Sequence, residues 1–451
     1  MSDSLPNEWI LTELGNYIYL KNGFAFKSSD YTESDDNTIP VIRISDIQNN
    51  TTSTQNAIHV VKNDLANDFT ISKGDLLIAM SGATTGKVGV FNEDKLAYQN
   101  QRVGNLKLVN EELGNQSYRN YLIQSLSKKI FDIAYGGAQP NISGKSIEEI
   151  IIPLPPKAEQ EKIAELLDSH LAQVETIKTR LNAIIPILKK FRQSVLANAV
   201  SGRLIEFNQE TLETAKLIDV AEINPKKDKL EDDLSVSFSP MNLMPIQYGE
   251  RLQFEEKKWA DVKKGFTFFK ENDVLIAKIT PCFENGKSVV ATNLINGIGT
   301  GSTEYHVIRT NKKLLPKWVL FHFKMNSFLR DGATNMTGSV GHKRVPKDFI
   351  ENLEINLPTT EEQEEIVKRV EELFSFADTI ETQINNALQR VDYLTQSILY
   401  QAFTGKLTAD WRTENIDLIT GDNSAESLLA KIQAEKDKAK PVKKPRKKKE
   451  A

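Results

Sequence analysis

Gly144-Lys145-Ser146 and Gly286-Lys287-Ser288 have the residue types that close a nucleotide-phosphate loop: a glycine, a lysine for the phosphate and a hydroxyl for a metal. That chemistry also needs a glycine five positions before each Gly, where this chain has Gln139 and Pro281. Neither stretch is a phosphate loop. Amino methylation needs an amide and a stacking aromatic around paired prolines, and Leu154-Pro155-Pro156 supplies neither. Zinc hydrolysis needs paired histidines at helical spacing, whereas His59, His170, His306, His322 and His342 are scattered. Glu255-Glu256-Lys257 imitates part of a nuclease site, but such acid-lysine strings are common on ordinary surfaces. The single Cys282 excludes an internal disulfide and a cysteine-rich metal site. The expectation is a non-catalytic chain that binds no cofactor or metal of its own.

Composition narrows the alternatives. At 451 residues the chain is long for one core. No apolar run reaches membrane-spanning length and the N-terminus lacks a signal-peptide pattern, so a cytoplasmic protein without membrane contact is expected. The formal charge is −4, yet residues 438–449 hold eight cations and no acid, which leaves about −12 elsewhere. Such a chain does not coat phosphates indiscriminately; nucleic-acid contact must come from local basic clusters, and the lysine-rich end is either a further attraction or a solvated disordered end.

Positioning elements come in duplicate. LPPKAEQEKI begins at Leu154 and LPTTEEQEEI at Leu357, and a constant shift of 203 residues carries the first through QSVLANAVSGRL onto the second's QSILYQAFTGKL without a gap. Steps of four and three run through Ile163, Leu167, His170, Val174, Ile177, Leu181, Ile184, Leu188, Phe191 and Val195, then through Ile366, Val370, Leu373, Ala377, Ile380, Ile384, Ala387, Val391, Leu394 and Ile398. This is a coiled-coil seam, apolar but for His170. Prolines open each helix, Thr359 with Glu362 fits a capping box, and Gly202 and Gly405 fit left-handed stops. Pro186 should kink the first helix near Asn182. Each helix would be about 60 Å long.

The segments before the helices also repeat. GDLLIAMSGATTGKVGVF (Gly74 to Phe91) matches NDVLIAKITPCFENGKSVVA (Asn272 to Ala291), a hairpin pattern in both. Helical stretches NQSYRNYLIQSLSKKIF and LPKWVLFHFKMNSFLR follow, then the loops GGAQPNISGKSIEEI and TGSVGHKRVPKDFIENL. The scaffold is alike and the loop side chains differ. The fold class is α/β (α+β): two globular domains joined by two long antiparallel coiled-coil helices, an internal pseudo-twofold repeat. The boundaries fall at 1–153, 154–204, 205–356, 357–407 and 408–451.

On IPLPPKAEQEKIAELLD, FRQSVLANAVSGRL, LPTTEEQEEIVKRVEELF, LTQSILYQAFTGKLTADWR and the two hairpins, the chain resembles the specificity subunits of type I restriction-modification enzymes, with a tail like that of the type IA branch. The resemblance implies two target-recognition domains, each reading one half of a split sequence in double-stranded DNA. It implies spacer helices that set the gap, and partners in two methyltransferase subunits and two restriction/translocase subunits. S-adenosylmethionine, ATP and Mg would serve those partners.

Base readout needs side chains that pair with base edges, while lysine and arginine on phosphates set register. The candidates are Lys27, Arg43, Ser81, Thr84, Thr85, Lys87, Arg102, Gln139 and Asn141 in the first domain, and Lys278, Asn285, Lys287, Thr303, His342, Lys343 and Arg344 in the second. Phe24, Phe26, Phe268 and Phe269 are expected in the core. Asn423 with Glu426 has a capping-box pattern for a short helix that docks on the coil or on a partner. The rival readings are a coiled-coil scaffold and a stand-alone bipartite DNA-binding protein.

Overall fold

The computed structural model describes residues 5–48, 50–136, 140–205, 213–339 and 341–439. Gln139 and the lysine-rich end from 440 lie outside them. The chain divides into two units, one of residues 1–178 with 389–451 and one of residues 179–388.

Two helices of 44 residues, Lys157–Val200 and Thr360–Phe403, pass from one unit into the other. Their ends follow the sequence. Thr359 N donates to Glu362 Oε2 at 2.9 Å and Glu362 N to Thr359 Oγ1 at 3.3 Å, the reciprocal capping box. Gly202 and Gly405 both have φ +75, and the next residues, Arg203 and Lys406, donate their N–H back to Asn198 O and Gln401 O. The first helix is unbroken through Pro186. Pro186 and Asn182 are both exposed, so the carbonyl that loses its helical donor is open to water.

The two helices pack together antiparallel. In the first unit Ile163, Ala164 and Leu167 share a core with Leu399, Ala402 and Phe403; in the second, Leu188 clusters with Ala377 and Ile384, flanked by Leu181, Ile184 and Ile380. Ion pairs cross between the helices in each unit, Lys178 to Asp392 at 2.6 Å and Arg192 to Asp378 and Glu381 at 2.6 and 2.8 Å. Val174, Ile366, Val370, Ile384 and Val391 are buried as a seam requires. Ile177 and Leu394 are not: they are 43% and 46% exposed. Sites beside the strict 4-3 path, half-buried Lys178 and Thr395, turn inward there. An α-helix drifts by about 20° per heptad against a 3.5-residue repeat, so one stripe cannot stay buried throughout.

Each unit attaches its sheets to a helix through a short antiparallel ribbon. Ile10–Glu13 pairs with Ile151–Leu154, Ile10 opposite Leu154; Glu213–Lys216 pairs with Glu354–Leu357, Glu213 opposite Leu357. The register is the same at the 203-residue shift.

Beyond the ribbon, one sheet of the first unit orders Ile18–Asn22, Val103–Leu108, Leu76–Ala79, Val88–Phe91, Asn50–Thr52 and Ile47–Gln48. Its counterpart orders Ala221–Ile223, Tyr305–Thr310, Val274–Ala277 and Ser288–Val290. A second sheet in each unit contains one parallel pair, Tyr98 opposite Val41 and Phe238 opposite Thr300. Phe26, Phe268 and Phe269 are buried, and Phe24 packs partly buried beside Phe26.

The helical stretches expected to be single each break in two, into Gln116–Ser125 with Ser127–Ala134 and Pro316–Lys324 with Asn326–Thr334. At the second break Met325 is extended, and Gln193 bonds both flanks, donating to Lys324 O at 3.0 Å and accepting from Asn326 N at 2.8 Å. The C-terminal helix is Ala425–Ala439, and its cap is Ser424, whose Oγ accepts from Ser427 N, rather than Asn423. Leu428 and Ile432 seat it in the same core as Phe403.

Candidate nucleic-acid interface

The duplicated hairpins form as the pattern requires: Leu76–Ala79 with Val88–Phe91, and Val274–Ala277 with Ser288–Val290, both antiparallel. Gly82 and Gly86 take φ +83 and +84, and Gly286 takes +74, conformations that let the turns close tightly. One residue at the start of each turn then gathers two further loops. Met80 N donates to Arg102 O at 2.9 Å while Met80 O accepts from Ile142 N at 3.0 Å. In the second unit Lys278 N donates to Glu304 O at 2.9 Å, and Lys278 O accepts from Val345 N at 2.8 Å. Isolated bridges lie alongside, Ser81 with Asn141 and Ile279 with Arg344. Each unit thus brings its hairpin turn, a second turn and a returning loop together by the same backbone bonds.

This arrangement assembles most of the candidates. In the first unit Ser81, Thr84, Thr85, Lys87, Arg102 and Asn141 lie on the converging segments, with Lys87, Arg102 and Asn141 exposed. Ser81 Oγ is buried without a hydrogen-bond partner among the described residues. Thr84 donates to Ile44 O at 3.2 Å, which ties the turn to the segment of Arg43. Arg43 itself is held by Asp46 and by Asn56 O. Thr85 is 2% exposed and its hydroxyl donates to Gly82 O at 2.6 Å, so it braces the turn and cannot meet a base. Lys27 is exposed on a separate loop, its N–H bonded to Asp30.

In the second unit Lys278, Asn285, Lys287, Thr303, His342, Lys343 and Arg344 lie on the corresponding segments, and Asn285, Thr303, His342, Lys343 and Arg344 are exposed. Two cations are already engaged. Arg344 forks onto Glu304 with both contacts at 2.8 Å, and that hydrogen bonding, ahead of its charge, holds the Glu304 carboxyl below the usual carboxylate range. Lys287 Nζ donates to Met241 O at 2.7 Å. No group of three or more metal-ligating side chains occurs among the described residues.

Sequence reasoning missed three polar features. Glu159, wholly buried at the start of the first long helix, accepts from Trp9 Nε1 at 2.8 Å, Thr408 Oγ1 at 2.6 Å and Arg412 Nη2 at 2.7 Å. Gln160 and Gln363 lie 203 positions apart at the same place in the repeated stretches, and their role needs the fold. Both are wholly buried, and each donates to the carbonyl of a proline five residues back, Pro155 or Pro358, at 2.9 Å. Gln160 also accepts from Tyr17 Oη at 2.6 Å, and Gln363 from Leu315 N at 2.8 Å. Lys324, 7% exposed, donates to Ile246 O and to Gly286 O in the hairpin turn.

Comparison with known proteins gives concordant results. The chain is 32% identical over 460 residues to the type I restriction enzyme EcoBI specificity subunit of Escherichia coli, covering 96% of this chain and 93% of that one. It is 34% identical over 461 residues to the StySPI specificity subunit of Salmonella potsdam, covering 96% of each. Its fold is similar to the HsdS subunit from Thermoanaerobacter tengcongensis, with TM-score 0.55, 16% identity and coverage of 90% of this chain and 98% of that one. A chain from a structural study of complex assembly in a type I R-M system gives TM-score 0.68 at 15% identity, covering 90% and 100%. The family model for the type I restriction modification DNA specificity domain matches residues 6–185 and again 209–390, and the chain belongs to that family.

Proposed function

We propose that this chain is the non-catalytic DNA-recognition subunit of a type I restriction-modification complex. Residues 1–153 and 205–356 each read one half of a bipartite target; the helices at 154–204 and 357–407 set the spacing between half-sites and dock methyltransferase subunits. Residues 408–451 are a C-terminal segment, whose helix packs on the first unit's core, followed by a lysine-rich tail. Adenine methylation and ATP-dependent cleavage belong to two methyltransferase and two restriction subunits, which use S-adenosylmethionine, ATP and Mg.

The observation that carries this reading is the convergence at Met80 and Lys278. Identical backbone bonds hold three loops together in both units, while the side chains on those loops differ: Thr84, Lys87, Arg102 and Asn141 in one, Asn285, Thr303, His342 and Lys343 in the other. A conserved frame with divergent exposed polar groups suits two modules that read different base sequences.

The test is binding of the purified chain to DNA, alone and with a methyltransferase subunit, across a salt series, with the target taken from sequencing of modified adenines in the source genome. Sequence-selective affinity that falls with salt is expected. Assembly with partners but no selectivity for DNA would leave a coiled-coil scaffold. Full selectivity without any partner would favour a stand-alone bipartite binder.

A further inference from the structure

The helix Ser127–Ala134 and the residue after it carry an aromatic pair that the core does not use. Phe131 and Tyr135 stack with ring centroids 4.2 Å apart at 21°, yet they are 51% and 38% exposed. Both lean on the hairpin turn. Tyr135 Oη donates to Ala83 O at 3.4 Å, and a Cβ built on Gly86 would lie 3.9 Å from Phe131 Cα. Lys128 precedes Phe131 by about one turn on the same face, and Lys129 adjoins it. Both lysines are exposed, and among the described residues neither has an acidic partner; Asp132 is the one acid on the helix.

Among its described residues the second unit has no such exposed stacked pair. A Cβ on Gly286 would meet Leu329, as one on Gly86 would meet Ile130, so the residue in the place of Phe131 is Arg330. Exposed cations beside exposed rings fit a DNA backbone, since lysine neutralises phosphate and an apolar ring can lie against deoxyribose or a thymine methyl.

Resting on the DNA-recognition reading, we propose that Phe131, Tyr135 and Lys128 extend the DNA surface of the first unit, Lys128 on a phosphate and the exposed parts of the two rings against the deoxyribose and base edge next to the step met by the turn. The contact strengthens one half-site only.

The test uses the full chain assembled with a methyltransferase subunit and a duplex carrying the mapped target. F131A/Y135A should weaken binding roughly 5-fold or more and F131W should retain affinity, each compared below its own melting temperature because the alanines also remove the ring stack and the Tyr135 bond to Ala83 O. K128A should lower the slope of log affinity against log salt by about 0.9. Selective binding indifferent to F131A/Y135A overturns this inference alone. Weaker subunit assembly with unchanged duplex affinity overturns it in favour of protein docking. Absence of selective binding by the unaltered chain overturns the recognition reading along with it.

Discussion

Arg412 Nη2 lies 2.7 Å from Glu159 Oε1, closing a contact across 253 positions of sequence between the C-terminal segment and the start of the first long helix. Arg412 is 11% exposed at its side chain, Glu159 0%, and the guanidinium also stands 5.7 Å from the Trp9 ring. Trp9, Glu159, Thr408 and Arg412 therefore form one buried polar group that fastens Trp9 and the segment of Thr408 and Arg412 to the start of the first long helix. Removing the cation strands a carboxylate away from water. Arg412→Ala should destabilise by about 3 kcal/mol or more, and E159Q/R412M should recover much of that loss. Equal urea midpoints for Arg412→Ala and the unaltered chain would refute the account.

Gln160 and Gln363 should behave alike when truncated, although they lie in different units. Each satisfies a proline carbonyl and a second group, Tyr17 Oη or Leu315 N, in a site without water access. Gln160→Ala and Gln363→Ala should each cost about 1–3 kcal/mol. Denaturant titration read separately by a probe in each unit checks this; loss of both units from either single change would contradict it.

Acid sensitivity is predicted for the second unit. Burial holds the His322 imidazole down to about 4, and burial likewise lowers the Lys324 ammonium to about 7 despite the opposing charge of Glu250. Both values lie below their ordinary 6.5 and 10.5, so between folded and unfolded values the unfolded chain binds the extra proton. Stability should rise with pH from about 4 to 6.5 and again from about 7 upward, and be lost on acidification through those windows. His322→Leu should flatten the lower window and Lys324→Met the upper. Stability curves parallel to the unaltered chain in both windows would show that neither group titrates as described.

Substitutions along the long helices should separate buried seam from exposed stripe. Leu188, 6% exposed beside Ala377 and Ile384, should cost about 2–5 kcal/mol as Leu188→Ala. Ile177, at 43% exposure, should change stability by roughly 0.5 kcal/mol or less as Ile177→Ala. Thermal melting of the two variants decides it, and similar losses would mean that Ile177 is as buried as the 4-3 pattern requires.

The repeated helices, their caps and the hairpins were legible because each depends on neighbours within a few residues: periodicity, Thr359 with Glu362, Gly202 and Gly405. What escaped depended on distance or on small angular differences. Glu159 stands in the sequence as one acid among several at a helix start, since Trp9 and Arg412 lie far away along the chain. Ile177 and Leu394 fit the heptad on paper, but the turn of a real helix carries them out of the seam. The cap at Ser424 differs by one residue from the Asn423 pattern. Thr85 reads as a base-contacting hydroxyl until the tight turn shows that Gly82 O takes its proton. The polar side chains of the converging loops are visible in the sequence, but only the bonds at Met80 and Lys278 bring them together.

The ribbons that join sheets to helices have a consequence for module replacement. Because Glu13 faces Ile151 and Lys216 faces Glu354, each reading module leaves its stem beside the point where it began. A foreign module would have to reproduce the paired residues of that stem together with the contacts that Trp9 and Tyr17, or Lys324, make with the long helices. Replacing such a cassette whole leaves the residues of both long helices unchanged, because entry and exit lie on one pair of strands.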